Sequence, residues 1–150
     1  MKKVLTIAGS DSCGGAGIQA DLKTMSALGV YGMSVITAVT AQNTLGVFGV
    51  EDISKEIVQK QLEVIFEDID VDAVKIGMLS SSELITVIQE TLAKYSAKNI
   101  VIDPVMISKS KYKLLQDEAI ESLKKFLKNL KKVVARFSRL CYTMKVRGSA

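Results

Sequence analysis

The sequence predicts an α/β protein with a mostly parallel sheet that carries helices on both faces. Short, continuously apolar segments alternate with longer segments whose apolar residues recur every three or four positions. Continuous apolarity is typical of parallel strands covered on both faces, and the alternation of strand and helix is typical of their crossover connections. The length of 150 residues corresponds to about one domain.

The first half of the chain predicts two strands and the helix between them. Residues 4–7 predict a buried strand because they are apolar without much interruption, and a loop with four glycines follows from residue 9 to residue 17. Residues 18–28 predict a helix that Gly29 ends. Its apolar face contains Ile18, Leu22, Met25 and Leu28. The β-branched residues between 34 and 41 predict the second strand.

The rest of the chain continues the alternation after a loop predicted at residues 43–49. The remaining predicted strands are residues 73–76 and 100–102, and the remaining predicted helices begin at Ser54, at the serines 80–82 and at Asp117. Serine is favoured just before a helix because its hydroxyl accepts a free backbone N–H. The helix after Ser54 is expected to turn inward Ile57, Leu62, Ile65, Phe66 and Ile69.

Charge is distributed unevenly along the chain. Residues 1–127 contain 13 Lys and Arg against 16 Asp and Glu, whereas residues 128–150 contain seven Lys and Arg and no acid. We therefore predict a domain over 1–127 and a divergent basic tail over 128–150. Two interpretations of the tail stay open. It could bind nucleic acid or an anionic surface, which the scarcity of nearby aromatic residues disfavours, or it could come from a frameshifted or truncated reading frame.

The composition excludes several classes of site. Because the chain contains no His, it cannot carry a Ser-His-Asp triad, a Cys-His dyad or an imidazole metal site. Its two cysteines, Cys13 and Cys141, cannot form a disulfide framework, which indicates a reducing cytoplasm. No apolar run approaches the roughly 20 residues of a membrane span.

The glycine loop at residues 9–17 is the first candidate ligand site, because glycines allow close approach and the following helix N-terminus favours an anion or polar group. It lacks the Gly-Lys-Ser/Thr ending of a Walker A loop. Gly15 to Ala20 matches a dinucleotide fingerprint, but no acid follows the second strand at residues 38–42. A tight turn that packs helix on strand is the structural alternative.

Four further candidates lie on the first helix or at the carboxyl ends of predicted strands, where ligands bind in such sheets. Asp21 lies on an apolar helix face, so it needs either a substrate group or a salt bridge. The Gln42 amide suits the edge of a heterocycle, or caps a loop. Met78 lines a pocket wall or the core, and Asp103 holds Mg²⁺ beside phosphates or initiates a turn before Pro104.

Several motifs together resemble the hydroxymethylpyrimidine/phosphomethylpyrimidine kinases, which belong to the ribokinase-like superfamily. The longest is IAGSDSCGGAGIQADLKT at residues 7–24. It is supported by SVITA at 34–38, AQNT at 41–44, KIGML at 75–79 and DPVM at 103–106. The resemblance covers about residues 1–127. It implies a three-layer α/β/α fold, incomplete on its C-terminal side, with ATP and Mg²⁺ as cofactors and with a homodimer as one option.

The resemblance also implies a reaction and its binding residues. The family phosphorylates the hydroxymethyl group of 4-amino-5-hydroxymethyl-2-methylpyrimidine, and then phosphorylates the resulting monophosphate. Carried over by motif, the pyrimidine pocket would consist of Gly9, Asp21, Gln42, Met78 and Val105. Gln42 would read the aminopyrimidine edge, and Asp103 would stand near the metal and phosphates.

The chain departs from the family pattern after the predicted domain. The family's Thr-Pro-Asn segment and its later Gly-x-Gly-Cys-like loop, which holds the catalytic residue, do not occur in the 150 residues, so no catalytic residue is assigned. Cys141 lacks that glycine context, and Lys111 replaces a customary glycine. Two alternatives to an active pyrimidine kinase therefore stay open, a pyridoxal kinase of the same superfamily and a non-catalytic pyrimidine-binding fragment.

Overall fold

A computed structural model describes residues 1–103, 117–129 and 133–135, with side chains over 1–103 and 119–126. The strands are β1 (Lys3–Asp11), β2 (Tyr31–Gln42), β3 (Val47–Asp52), β4 (Ala73–Ile76), β5 (Ile100–Ile102) and β6 (Val133–Ala135). The helices are α1 (Gly17–Ala27), α2 (Lys55–Asp68), α3 (Ser82–Lys94) and α4 (Asp117–Asn129). Val105 and most of the predicted tail at 128–150 lie outside the described residues.

The strands form a single sheet in the order β3-β2-β1-β4-β5-β6. Every neighbouring pair is parallel except β2 and β3, which are antiparallel. The prediction of a mostly parallel sheet is therefore confirmed. The chain passes from β1 to β2 on one side and later returns to β4 on the other. The carboxyl ends of β1 and β4 therefore flank a switch point, where open α/β sheets bind ligands.

Helices cover both faces of the sheet, as the sequence predicts. Leu5 and Ile7 of β1 belong to the buried core that also contains residues of α2, α3 and α4. Thr6, which lies between them and faces the opposite way, donates a hydrogen bond to Asp21 of α1. The sheet is thus a middle layer, with α1 on one face and the other three helices on the other.

The caps of two helices match the predicted starts. The Ser54 hydroxyl accepts the backbone N–H of Ile57 at the start of α2, and the Ser81 hydroxyl accepts that of Leu84 at the start of α3. Among the described helices, none combines the length and the apolarity that crossing a membrane would require.

Three predicted elements are wrong in extent, and one of them is the second strand, which begins at Tyr31 rather than at residue 34 and ends at Gln42. The first strand continues to Asp11 because residues beyond a register shift still pair with β2, where Asp11 lies opposite Thr40. The loop predicted at 43–49 contains the start of β3. The side chain of Asn43 accepts the backbone N–H groups of Leu45 and Gly46, which reverses the chain early and adds an antiparallel edge strand.

Two inward orientations are also wrong. Ile57 is 55% exposed, whereas the neighbouring Val58 is fully buried and forms one stripe with Leu62. Leu28 is 73% exposed because α1 ends at Ala27 and Leu28 is its C-cap, after which the chain turns away through Gly29. Both errors come from the ends of helices, where periodicity alone does not fix which residues still face the sheet.

Candidate functional site

The glycine loop between β1 and α1 is organised around a buried carboxylate. Asp11 is 2% exposed and accepts the backbone N–H groups of Cys13, Gly15 and Ala16 at 2.8–2.9 Å. Two of these donors belong to the loop, and the third, Ala16, is the N-cap of α1. The carboxylate of Asp11 therefore holds the glycine loop together from within, ahead of the first turn of α1. The sequence analysis did not select Asp11. An Asp at the start of a glycine-rich loop is nevertheless a signal for an Asx-turn, in which its carboxylate accepts the N–H two residues later.

Glycines bring α1 close to the end of β1. Gly17 has a φ of +55°, and a Cβ on it would lie 2.3 Å from the carbonyl oxygen of Gly9. Gly9 in turn lies against Met78, because a Cβ on Gly9 would lie 3.0 Å from the Met78 Cε. Two of the predicted pocket residues, Gly9 and Met78, are therefore in contact at the switch point of the sheet.

Gln42 ends β2 beside the same loop and is held there by one hydroxyl. The Ser12 Oγ donates to the Gln42 carbonyl at 2.7 Å and accepts the Gln42 backbone N–H at 2.9 Å. The amide side chain of Gln42 is half-buried. Ser12 thereby fixes the main chain of Gln42 relative to the glycine loop, a positioning contact that the sequence did not reveal.

Asp21 lies on the inner face of α1 and pairs with a lysine across the sheet. Its Oδ2 accepts the Thr6 hydroxyl at 2.6 Å and lies 2.7 Å from the Lys75 Nζ. The salt bridge that the sequence left open as an alternative is therefore formed, with side chains that are 26% exposed for Lys75 and 20% for Asp21. Within the described part of the chain, the Asp21 Oδ1 has no hydrogen-bond partner, so it is open to a ligand donor.

Asp103 directly follows β5, and one of its carboxylate oxygens is buried without a hydrogen-bond partner in the described structure. Its backbone N–H donates to the Ile76 carbonyl at 2.8 Å, which fixes the residue at the edge of β4. Among described residues, the Asp103 Oδ1 and the Ser80 Oγ are the buried side-chain oxygens that accept or donate no hydrogen bond. A buried, unpaired carboxylate oxygen is costly unless a cation or a donor meets it. Asp103 therefore fits a role beside a metal ion.

The described residues do not form a cage of protein ligands around a metal ion. Over the described ranges, no three Asp, Glu, Cys or His side chains come close enough to hold a metal ion together. Mg²⁺ commonly keeps several waters and binds through one or two carboxylates together with substrate phosphates. A single carboxylate at Asp103 is consistent with that mode of binding.

A cavity lies at the amino ends of β1 and β2, away from the predicted site residues. The cavity has a volume of about 360 Å³ and opens widely to solvent. It is lined by Met1, Lys3, Tyr31, Asp68 and Ile69. None of these is a predicted site residue, and Lys3 and Tyr31 are the first residues of β1 and β2. Since ligands in such sheets bind beyond the carboxyl ends of strands, we expect the site at that end of the sheet rather than at this cavity.

The comparisons with known proteins identify the family of the chain. A model of the family described as phosphomethylpyrimidine kinase matches residues 11–135. The chain belongs to the phosphomethylpyrimidine kinase family. The hydroxymethylpyrimidine/phosphomethylpyrimidine kinase of Rhizobium meliloti is 60% identical over 119 residues, which are 79% of this chain and 44% of the relative. The enzyme of the same name from Bacillus subtilis is 51% identical, over 83% of this chain and 46% of the relative.

Solved structures of family members and related kinases share the fold. The phosphomethylpyrimidine kinase of Clostridium difficile is 66% identical, with a TM-score of 0.79 over 85% of this chain and 55% of its own. The ADP complex of Bacillus subtilis pyridoxal kinase is 43% identical, with a TM-score of 0.74 over 85% and 48%. The pyridoxal kinase of Staphylococcus aureus with AMP-PCP and pyridoxal is 39% identical, with a TM-score of 0.71 over 85% and 44%.

These matches confirm the resemblance and the ribokinase-like fold. The chain spans about half the length of the curated relatives it matches. The match to the family ends at residue 135, and the predicted boundary between residues 127 and 128 stays a prediction.

Proposed function

We propose that this chain supplies the pyrimidine-binding part of a hydroxymethylpyrimidine/phosphomethylpyrimidine kinase. The reaction transfers a phosphoryl group from ATP to the hydroxymethyl oxygen of 4-amino-5-hydroxymethyl-2-methylpyrimidine, and then to the monophosphate. The observation that carries the proposal is the set of polar atoms left without partners at the carboxyl edge, in the described region. They are the Asp21 Oδ1, the Ser80 Oγ and the Asp103 Oδ1.

The pocket residues offer one apolar contact and two polar ones. In the proposed pocket, the buried residues Gly9 and Met78 would lie against one face of the flat ring, because glycine adds no side chain and the thioether is polarisable. The Asp21 Oδ1 can accept a ligand N–H while Lys75 and Thr6 hold the other carboxylate oxygen. The Gln42 amide can donate and accept at the edge of the ring. Val105 remains a predicted pocket residue outside the described range.

ATP and Mg²⁺ belong to the same proposal. When bound, Mg²⁺ neutralises charge on the transferring phosphoryl group, and phosphoryl transfer depends mainly on such positioning and charge neutralisation. Asp103 is the residue that would hold the ion, through its unpaired Oδ1. Three backbone N–H groups of the glycine loop are unavailable to phosphate because they already donate to the Asp11 carboxylate. We therefore place the phosphates near Asp103 rather than over the glycine loop.

A direct test uses the full 150-residue chain. Isothermal titration calorimetry with the aminopyrimidine measures binding, and an ADP-release assay with ATP and Mg²⁺ measures transfer. Binding together with ADP release supports a kinase, whereas binding without release supports the non-catalytic alternative. Loss of binding is expected for Gln42→Ala but not for Gln59→Ala, which changes an exposed glutamine of α2. Failure of the unmodified chain to bind the aminopyrimidine would contradict the proposal.

A pyridoxal kinase is the second candidate because two of the solved relatives are pyridoxal kinases, at 43% and 39% identity. The 66% identity to a phosphomethylpyrimidine kinase favours the pyrimidine. Competition between pyridoxal and the aminopyrimidine for the same chain separates the two activities. A cytoplasmic location and a homodimer remain predictions, and light scattering of the purified chain tests the second.

A further inference from the structure

One buried hydroxyl lies between the glycine loop and the side chain of Gln42. Thr40 precedes Gln42 by two residues in β2 and is 5% exposed. Its Oγ1 is 2.7 Å from the Ser10 carbonyl oxygen and 3.3 Å from the Gln42 Oε1. Both neighbours are carbonyl oxygens, which only accept hydrogen bonds.

A threonine hydroxyl carries one hydrogen, so it cannot donate to both oxygens. The shorter contact, to the Ser10 carbonyl, takes the hydrogen. The Thr40 Oγ1 then presents a lone pair to the Gln42 side chain, and only the amide nitrogen can make a hydrogen bond to it. The two ends of an amide have nearly the same shape, so the hydrogen-bond network decides which end lies where. The network here favours the nitrogen beside Thr40.

From this network we propose that Thr40 is a specificity-determining residue that turns the Gln42 amide so that Nε2 donates to the Thr40 Oγ1. The Oε1 then faces the ligand as an acceptor. Ser12 already holds the backbone N–H and carbonyl of Gln42. Thr40 therefore acts on the side-chain torsions of Gln42, which Ser12 leaves free. Thr40 touches Gln42 rather than the ligand, so it acts by positioning.

The consequence is a preference for a ligand that donates at this edge. An exocyclic amino group on the ring donates an N–H to the Oε1, whereas a ring carbonyl at the same position would bring two acceptors together. The mismatch leaves both oxygens desolvated and unpaired, which is more costly than losing one hydrogen bond. The inference deepens the proposed function and rests on it, because it takes Gln42 to be a pyrimidine contact.

The binding test compares 4-amino-5-hydroxymethyl-2-methylpyrimidine with its 4-oxo analogue by calorimetry on the full chain. Thr40→Val keeps the shape and removes the hydroxyl, so the amide can turn either way. We expect the ratio of the two affinities to fall by about 10-fold, as the loss of one hydrogen-bond preference implies. Thr40→Ser restores the hydroxyl and should restore the ratio.

A matched control separates this effect from a general loss of stability. Thr91 is 3% exposed in α3, and its hydroxyl donates to the Val87 carbonyl at 2.7 Å. Thr91→Val therefore also removes one buried hydroxyl, and the affinity ratio should not change. An unchanged ratio in Thr40→Val, with binding retained, overturns the proposal.

A second measurement needs no ligand. In an NMR spectrum of the free chain, we expect strong NOEs between the Gln42 side-chain NH₂ and the Thr40 methyl group, and a shift of that NH₂ signal in Thr40→Val. Weak NOEs and an unshifted signal contradict the amide orientation. Were neither pyrimidine to bind, the proposed function would fail, and the NOEs would still confirm or overturn the orientation.

Discussion

The polar groups at the amino ends of the strands (the amino edge) are paired differently from those at the carboxyl ends (the carboxyl edge). At the amino edge, Asp72 accepts the Lys2 ammonium and the Lys3 backbone N–H, while its own carbonyl accepts the Asn99 amide. At the carboxyl edge, the Asp103 Oδ1 and the Ser80 Oγ are buried and unpaired within the described residues. Unpaired buried polar atoms cost stability. The difference is the one expected if the amino edge serves folding and, as we propose, the carboxyl edge serves binding.

The largest expected effect tests the close packing at the carboxyl edge. A Cβ in Gly17→Ala would collide with the Gly9 carbonyl at 2.3 Å and would stand at a positive φ. We expect a loss of about 3 kcal/mol or more in the free energy of unfolding, measured by urea denaturation. Gly29→Ala is the matched control, with φ +68° and no atom within 4 Å, and should cost only about 1 kcal/mol. Equal losses in the two variants would show that packing of Gly17 on Gly9 is unimportant.

The next prediction tests whether the glycine loop depends on its internal carboxylate. Asp11→Ala leaves three backbone N–H groups without their acceptor. We expect a loss of about 2–4 kcal/mol in the free energy of unfolding, together with weaker binding of the aminopyrimidine. Asp52→Ala, at an exposed position of β3, should change neither quantity. A stable Asp11→Ala variant with unaltered binding would contradict the role assigned to the carboxylate.

Removing the lysine beside Asp21 should affect stability and binding together. Lys75→Met leaves the Asp21 carboxylate with only Thr6 as its partner. Because both side chains are partly exposed, we expect a loss of about 1–2 kcal/mol, less than for a fully buried pair. Lys94→Met breaks the exposed pair with Glu63 and should leave the free energy of unfolding nearly unchanged. Calorimetry should show weaker pyrimidine binding for the first variant and unchanged binding for the second.

The sequence predicted those elements whose signals are local. The strands at 73–76 and 100–102 have the predicted bounds, since each is a short, mainly apolar segment closed by Gly77 or by Asp103. The whole of β3 was missed because the turn before it depends on the side chain of Asn43 accepting two backbone N–H groups. A turn of this kind has the same composition as an ordinary polar loop, so composition cannot distinguish the two.

The candidate site was only partly predictable for a similar reason. The motifs identified Gly9 and Met78, which the fold brings into contact. The partner of Asp21 could not be identified, because Lys75 lies 54 residues away and reaches it only through the pairing of β1 with β4. The hydrogen bonds between the Ser12 hydroxyl and the Gln42 backbone likewise join residues 30 positions apart, and they follow from the register between β1 and β2. Periodicity and spacing contain no information on such contacts.

The smallest expected effect on stability comes from Asp72, at the amino edge. The hydrogen bond from the Lys2 ammonium, followed by that from the Lys3 backbone N–H, lowers the pKa of Asp72 below its ordinary value of 3.8. A lowered pKa in the folded state contributes stability that is present above pH 3.8 and is lost as the pH falls through the lowered value. Asp72→Asn should therefore reduce the urea midpoint slightly at pH 7, with a difference that disappears in acid. Pyrimidine binding should not change, because Asp72 stabilises the opposite edge of the sheet. Weaker binding in Asp72→Asn would show that the two edges are coupled.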